Sequence, residues 1–326
     1  MNDNNNQVKL WRSTRVAPLI EFTPSKTTAL ITHEVVFSSA RQCIAKSLNM
    51  LGMNRTDYIG IPDWSSHCVI DFVGRVATPV PLRFLPNNQA ASVLVYDQWG
   101  WEKSKSARLE IKDKYQNAHV IWDRVDSLPI SFESIAYNDR LQADAQIFSL
   151  KKTLNGQGGG LLWMGDDGWL QKLQANDTEL NRELLDVVQN LEDREQVQKK
   201  INRFILSECD THLDLNDWLS KYSLDSLTAQ EHHDRRDRMK ILMQIVDMAN
   251  LPIWMNAQID NSDRSAPGIW PLVVSTESTE LIDEISDLFN FETRYYHFNF
   301  NDSYVYPEWT KVLAIPLHSE LSTEVL

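Results

Sequence analysis

Between residues 38 and 164 short apolar runs alternate with amphipathic stretches, and that rhythm limits the folds open to the chain. SSARQCIAKSLNMLG (38–52) has helical spacing. Ile44, Leu48 and Leu51 form one stripe, Ser38 or Ser39 can cap the start, and Gly52 stops it. The strand YIGIP (58–62) follows, and a second helix is expected to start near Ser65 or Ser66. ASVLVYDQW (91–99) begins as a buried strand, 103–115 reads as a polar helix, and HVIWD (119–123) is again a strand. AQIFSL (145–150) and GGLLWM (159–164) are two more. They stand too close for a helical crossover, so this pair is expected to be antiparallel. The fold class this predicts is α/β: a three-layer, mostly parallel sheet with helices on both faces.

From about 168 to 248 the spacing of Leu, Val and Ile between charges predicts long helices. After Pro252 strands are expected to return, with GIWPLVVS (268–275) and VLAIPLH (312–318) around a helix at 279–290. The expected division is a large α/β domain over 1–248 and a small C-terminal α+β domain over 249–326.

Charge and cysteine content narrow the partners. The formal net charge is −13, which argues against a nucleic-acid backbone or an anionic membrane as the main partner. Cys43, Cys68 and Cys209 are too few and too odd for a disulfide framework, so a reducing compartment is expected. Cys209 and His212 have no second pair to close a tetrahedral site, and no metal is expected. The start, MNDNNNQVK, lacks the apolar core of a signal peptide, and no window approaches a membrane span. The expectation is a soluble, cytoplasmic protein.

Ligands of parallel α/β sheets sit beyond the carboxyl ends of the strands. There the sequence places PDWSSHC after 58–62, YDQWGW after 91–95, Asp123 after 119–122, and Lys151 and Lys152 after 145–150. The helix opening at Ser38 presents free backbone N–H groups, a natural phosphate seat. A phosphate seat, a flat side chain, an acid and a lysine together suit pyridoxal phosphate. The lysine captures the cofactor aldehyde, and the acid keeps the pyridine nitrogen protonated. Trp99 and Trp101 are candidates to line the cleft, while Tyr295, Tyr296 and His297 line the pocket or form a buried strand.

These residues resemble the DegT/StrS-type sugar aminotransferases, a family of fold type I pyridoxal phosphate enzymes. Phe148-Ser149-Leu150, then Lys152 and NGQGGGLLW, resembles the family's cofactor-lysine segment. The resemblance implies Lys152 as the Schiff-base lysine, with Lys151 as a rival because the spacer is short, and Ser149 as a phosphate ligand. HVIWDRVDS resembles the family's carboxylate strand and implies Asp123 as partner of the pyridine nitrogen. Asp126 stands where the family usually has Gln or His, a departure at the contact to the cofactor's ring oxygen. SSARQCIAKSLNMLGM resembles the first-helix motif and implies phosphate contacts from Ser38, Ser39, Ala40 and Arg41. YIGIPDWSSHCV resembles the strand and turn of the ring-stacking residue: counting lands on Ser66, while His67 is the better plate. VLAIPLHSELSTEVL is similar to the family's late segment.

The resemblance implies a homodimeric aminotransferase using pyridoxal phosphate. Its amino donor would be glutamate or glutamine and its acceptor a nucleotide-linked keto sugar, in amino-sugar or cell-surface polysaccharide synthesis. The partners expected are therefore small molecules and a second copy. Two alternatives stay open: a sugar dehydratase, whose relatives carry histidine in place of the lysine, and a homologue without catalysis that binds or assembles.

Overall fold

A computed structural model describes residues 11–12, 34–37, 39–129, 143–153, 160–164, 224–245, 251–260, 266–274, 279–280, 282–283, 291–292 and 294–317. The strands are β1 (Trp11–Arg12), β2 (Glu34–Phe37), β3 (Tyr58–Ile61), β4 (Thr78–Pro81), β5 (Ala90–Tyr96), β6 (His119–Asp123), β7 (Ala145–Ser149) and β8 (Gly160–Met164). They continue with β9 (Ile269–Val273), β10 (Phe291–Glu292), β11 (Tyr295–Asn299) and β12 (Trp309–Pro316). Helices α1 (Ala40–Met50), α2 (His67–Val76) and α3 (Lys105–Lys114) stand between the early strands.

Seven strands form the main sheet in the order β2-β8-β7-β6-β5-β3-β4. From β7 to β4 every neighbouring pair is parallel, while β8 runs antiparallel to both β7 and β2. The β7–β8 connection is too short to cross the sheet, so the chain has to reverse. The two strands that periodicity misses are the sheet's edges. β2 has four residues, and β4 carries Pro79 and Pro81, which only an edge tolerates because proline cannot donate to a ladder.

Alternate residues of the central strands feed two separate cores, and this makes the three layers. Leu94 and Ile121 pack with Ile44, Leu48 and Val73 of α1 and α2. Val93, Val95, Val120 and Trp122 pack on the opposite side with Ala107 and Ile111 of α3. Serines cap two of these helices: Ser39 caps α1, as the sequence predicts, and Ser104 caps α3, while Ser66 precedes α2 without a side-chain cap bond. Gln42 N donates to Ser39 Oγ at 3.2 Å, and Ala107 N donates to Ser104 Oγ at 3.3 Å. Gly52, just past α1, has φ +75°, the left-handed turn that glycine makes at low cost.

The smaller sheet, β11-β12-β9, is antiparallel throughout, and β1 pairs in parallel with β10. Strands do not return directly after Pro252. A helix, Ile253–Asp260, comes first and buries Trp254, Met255, Gln258 and Ile259. The Pro252 carbonyl accepts from the backbone N–H groups of Met255 and Asn256, so its fixed φ opens a helix. Trp254 and Met255 share a core with Trp270 and Ile315 of the small sheet, with Trp99 and Trp101 of the large one, and with Met239 and Leu242 of the long helix Leu224–Ile245. The expected helix at 279–290 and the stretch 168–223 fall mostly or wholly outside the described residues.

Gly160 holds the start of β8 against the start of α1. A Cβ added there would lie 2.4 Å from both the N and the Cα of Ala40, and 2.6 Å from Cys43 Sγ. Backbone cannot yield as a flexible side chain does. Gly160→Ala is therefore expected to destabilise the protein by about 3 kcal/mol or more, measured by urea unfolding.

Candidate active site

Three neighbouring parallel strands end at one place. The register sets Tyr96 at the end of β5 beside Asp123 at the end of β6, and Asp123 beside Ile147 of β7. β7 ends at Ser149, which pairs with Gly160 of β8. A single helical turn, Leu150–Thr153, then carries Lys152. Ser149 braces that turn, because its Oγ accepts from Lys152 N at 3.3 Å and its carbonyl from Thr153 Oγ1 at 2.7 Å. The close approach at Gly160 brings the first residues of α1 to the same spot.

A cavity of about 630 Å³ opens over these ends. Its floor includes Asp123, Ser149 and Lys152, and Ser39, Ala40 and Arg41 from α1 form one side. Such a volume is ordinary for a cofactor or substrate site. Pro62, Trp64, Ser65 and Ser66 come from the turn after β3, and Cys68 and Val69 from α2. Tyr295, Tyr296 and His297 enter from β11. Gln98 fixes that strand like a ladder partner: its Nε2 donates to His297 O at 2.6 Å, and Asn299 N donates to its Oε1 at 3.2 Å.

The two aspartates differ in what they face. Asp123 is 4% exposed and lines the cavity. Among the described residues its carboxyl accepts one hydrogen bond, from Val125 N at 3.2 Å. Burial pushes its pKa up to about 7, although the Lys152 charge and the Val125 N–H pull it back. Asp126, in contrast, is fully engaged. One oxygen accepts from Lys152 Nζ at 2.8 Å; the other accepts from the Tyr96 hydroxyl and, at 3.3 Å, from Trp99 N. Burial alone would lower the Lys152 pKa, but the Asp126 charge and hydrogen bond reverse this and leave it above its ordinary value. Burial and the Asp126 carboxylate together hold the Tyr96 hydroxyl well above the usual phenol range.

The turn after β5 contains the one non-glycine residue with positive φ among those described, Trp99 at +59°. Such a conformation costs a bulky residue on the order of 1–3 kcal/mol. It aims Trp99 N at Asp126 and sets the Trp99 carbonyl to accept from Gly268 N at 2.8 Å. Arg124 braces the same ends from below, paired with Glu102 and lying 4.7 Å over the Trp122 ring and 5.1 Å over the Phe148 ring.

Lys152, Asp123, Ser149, Ser39, Ala40, Arg41 and Ser66 thus meet in one cavity, and Asp126 stands directly behind Lys152. Ser38 and the side chain of Lys151 lie outside the described residues, as do Cys209 and His212. His67 opens α2 with an exposed side chain and is not among the cavity's lining. The large plate of that turn is Trp64, which stacks on His297 with centroids 4.2 Å apart and planes 6° apart. Between Trp64 and His67 the chain passes from turn into helix, which sends the two side chains different ways. Trp99 lines the cavity, but Trp101 is buried in the core, where its Nε1 donates to Ile269 O at 2.8 Å. Tyr295, Tyr296 and His297 line the pocket from a strand in which they are half-buried rather than buried. Sequence reasoning does not single out Tyr96, though its place at a strand's carboxyl end is the same signal that marks Asp123.

The residues present fit pyridoxal phosphate. A buried carboxyl with no cation bonded to it among the described residues faces the cavity beside an amine and the start of a helix, and the absent side chain of Gly160 makes room for that helix.

Comparisons with solved structures agree with the fold. NtdA from Bacillus subtilis, solved with bound cofactor PMP, is 15% identical with a TM-score of 0.54, over 90% of this chain and 70% of that one. DesI, solved in the presence of its TDP-sugar product, is 12% identical with a TM-score of 0.52, over 90% and 78%. A DegT DnrJ EryC1 StrS aminotransferase from Brucella abortus is 13% identical with a TM-score of 0.51, over 90% and 83%. No curated protein matches the chain. The family model described as "Putative PLP-dependent aminotransferase" matches residues 25–325. That match spans nearly the whole sequence: the chain belongs to this family of PLP-dependent aminotransferases, and it is an enzyme whose cofactor is pyridoxal phosphate.

Proposed function

We propose that the protein moves an amino group from glutamate or glutamine to a nucleotide-linked keto sugar, with Lys152 as the residue that captures the cofactor. The observation that carries the reading is the meeting of Lys152, Asp123, Ser149 and the start of α1 in one cavity. Bound pyridoxal phosphate supplies an aldehyde for covalent capture and a protonated ring that draws electrons from the reacting carbon.

Lys152 would hold that aldehyde and, as a free amine, would take the proton from the donor's α-carbon and return it. Asp123 would keep the pyridine nitrogen protonated, and having no bonded cation among the described residues suits it to that task better than Asp126. Backbone N–H groups at Ser39, Ala40 and Arg41, with the Ser149 hydroxyl, hold the phosphate. Ser66 lies at the lip of the same cavity.

The acceptor is inferred from two supports. The solved neighbour DesI was crystallised in the presence of its TDP-sugar product. In addition, Trp64, Tyr295, Tyr296 and His297 give the cavity flat faces on which a nucleobase can stack. The same reading makes the enzyme a cytoplasmic homodimer that serves amino-sugar or cell-surface polysaccharide synthesis.

The test begins with the absorbance spectrum of the purified protein, borohydride reduction and mass mapping of the modified lysine. The label is expected on Lys152, and a label on Lys151 alone would overturn the assignment. Half-reactions with glutamate and glutamine, then turnover with nucleotide-linked keto sugars, test donor and acceptor. Equal turnover of simple keto acids would overturn the sugar reading.

A further inference from the structure

Asp126 stands directly behind Lys152, and its carboxylate is enclosed by hydrogen-bond donors. It is 2% exposed, and both of its oxygens accept hydrogen bonds. One of those bonds comes from Trp99 N, in the turn that holds its strained φ. The remaining partner is the Lys152 amine at 2.8 Å.

We propose that Asp126 is a positioning residue whose carboxylate, held by Tyr96 and Trp99, keeps Lys152 paired as an ammonium on the cavity floor until the lysine is called on to attack the cofactor aldehyde. The inference rests on the reading of Lys152 as the anchor. An ammonium has no lone pair. One proton must first pass to solvent. The nitrogen then bonds the aldehyde carbon, and the carbonyl oxygen leaves as water with the amine's other two protons. Asp126 opposes that first loss, so cofactor capture by the empty enzyme is slow at neutral pH and accelerates as pH rises.

The other groups acting on the Lys152 charge are Asp123 at the end of β6 and Cys68 of α2. Tyr96 reaches it through Asp126, and Arg41 and the β11 side chains Tyr295, Tyr296 and His297 also line the cavity. Asp126 is the one in direct contact among the described residues. Its replacement by a neutral isostere therefore lowers the pH at which the amine reacts.

The experiment uses the full chain freed of cofactor. Trinitrobenzenesulfonate labels amines between about pH 7 and 11, bracketing an ordinary lysine, and mass mapping follows the label on Lys152. In Asp126→Asn the midpoint is expected to fall by about one unit or more, a roughly tenfold gain in labelling at a fixed pH below it. Asp126→Glu restores a carboxylate and is expected to move the midpoint back toward wild type. Should Asp126→Asn fail to fold, Asp126→Ser makes the same comparison. An unchanged midpoint in the neutral variant overturns the proposal, even if borohydride still fixes the cofactor on Lys152. A shifted midpoint with cofactor fixed elsewhere shows that the pair exists but positions no anchor, and it overturns the proposal together with the reading beneath it.

Discussion

Lys152→Ala is expected to lower kcat by about three orders of magnitude, since in the proposed function one side chain would supply both the covalent anchor and the proton transfer. The variant should still bind the cofactor, because the phosphate seat and Asp123 remain. The absorbance band of the linked cofactor should vanish, and borohydride should no longer fix the cofactor to the protein. Lys151→Ala is the control and should keep most of the activity. Stopped-flow spectra of the donor half-reaction provide the measurement. A Lys152→Ala protein that turns over near the wild-type rate would remove the lysine from the mechanism.

Asp123→Asn is expected to impair catalysis and stabilise the empty protein at once. In the proposed function Asp123 would pair with the pyridine nitrogen, and loss of its carboxylate should then lower kcat by roughly 10²–10³-fold, the usual effect of removing one preorganised electrostatic partner. The stability effect follows from proton linkage. Burial raises the Asp123 pKa to about 7 in the folded state, well above its unfolded value. The folded protein then binds a proton that the unfolded chain releases, and stability from this group is full below about pH 4. It is lost as pH rises through about 7. At pH 8 the empty wild-type protein therefore holds a buried carboxylate with no bonded cation among the described residues, whereas an asparagine there is neutral. Asp123→Asn should gain roughly 2–4 kcal/mol over wild type at about pH 8 and no more than about 1 kcal/mol at about pH 4.5. Urea unfolding of the cofactor-free proteins at both pH values reads this directly. Equal stability at the two pH values would mean that Asp123 is not desolvated. A site whose charge costs stability until its ligand arrives is a common trade between activity and stability.

Much of the fold and of the site is legible in the order of the residues. Alternation of period 2 and period 3.6 marks five strands of the large sheet and the first three helices, because those signals are local and the residues that carry them point into one core or the other. The antiparallel β7–β8 pair follows from chain length alone. Lys152, Asp123, Ser149 and the start of α1 can be singled out because ligands of a parallel sheet gather at its carboxyl edge, and a strand's end is readable in one dimension. The edge strand β4 is not legible: its prolines contradict strand propensity and are allowed only where no neighbour needs their N–H.

The sequence by itself determined the layered α/β architecture and which strand ends would carry an amine, an acid and a phosphate seat. Tertiary structure decided how those groups are partnered. Nothing local says that Asp126 turns to Lys152 while Asp123 is left facing the cavity, since the two lie at and just past the end of the same strand. Nor does anything local choose Trp64 over His67 for the cavity wall, or bring Tyr295, Tyr296 and His297 across from a strand more than a hundred residues away. Those choices come from packing. The strained turn at Trp99, the missing side chain of Gly160 and the Gln98 clamp on β11 each fix a backbone, and each backbone leaves its side chains one direction to point.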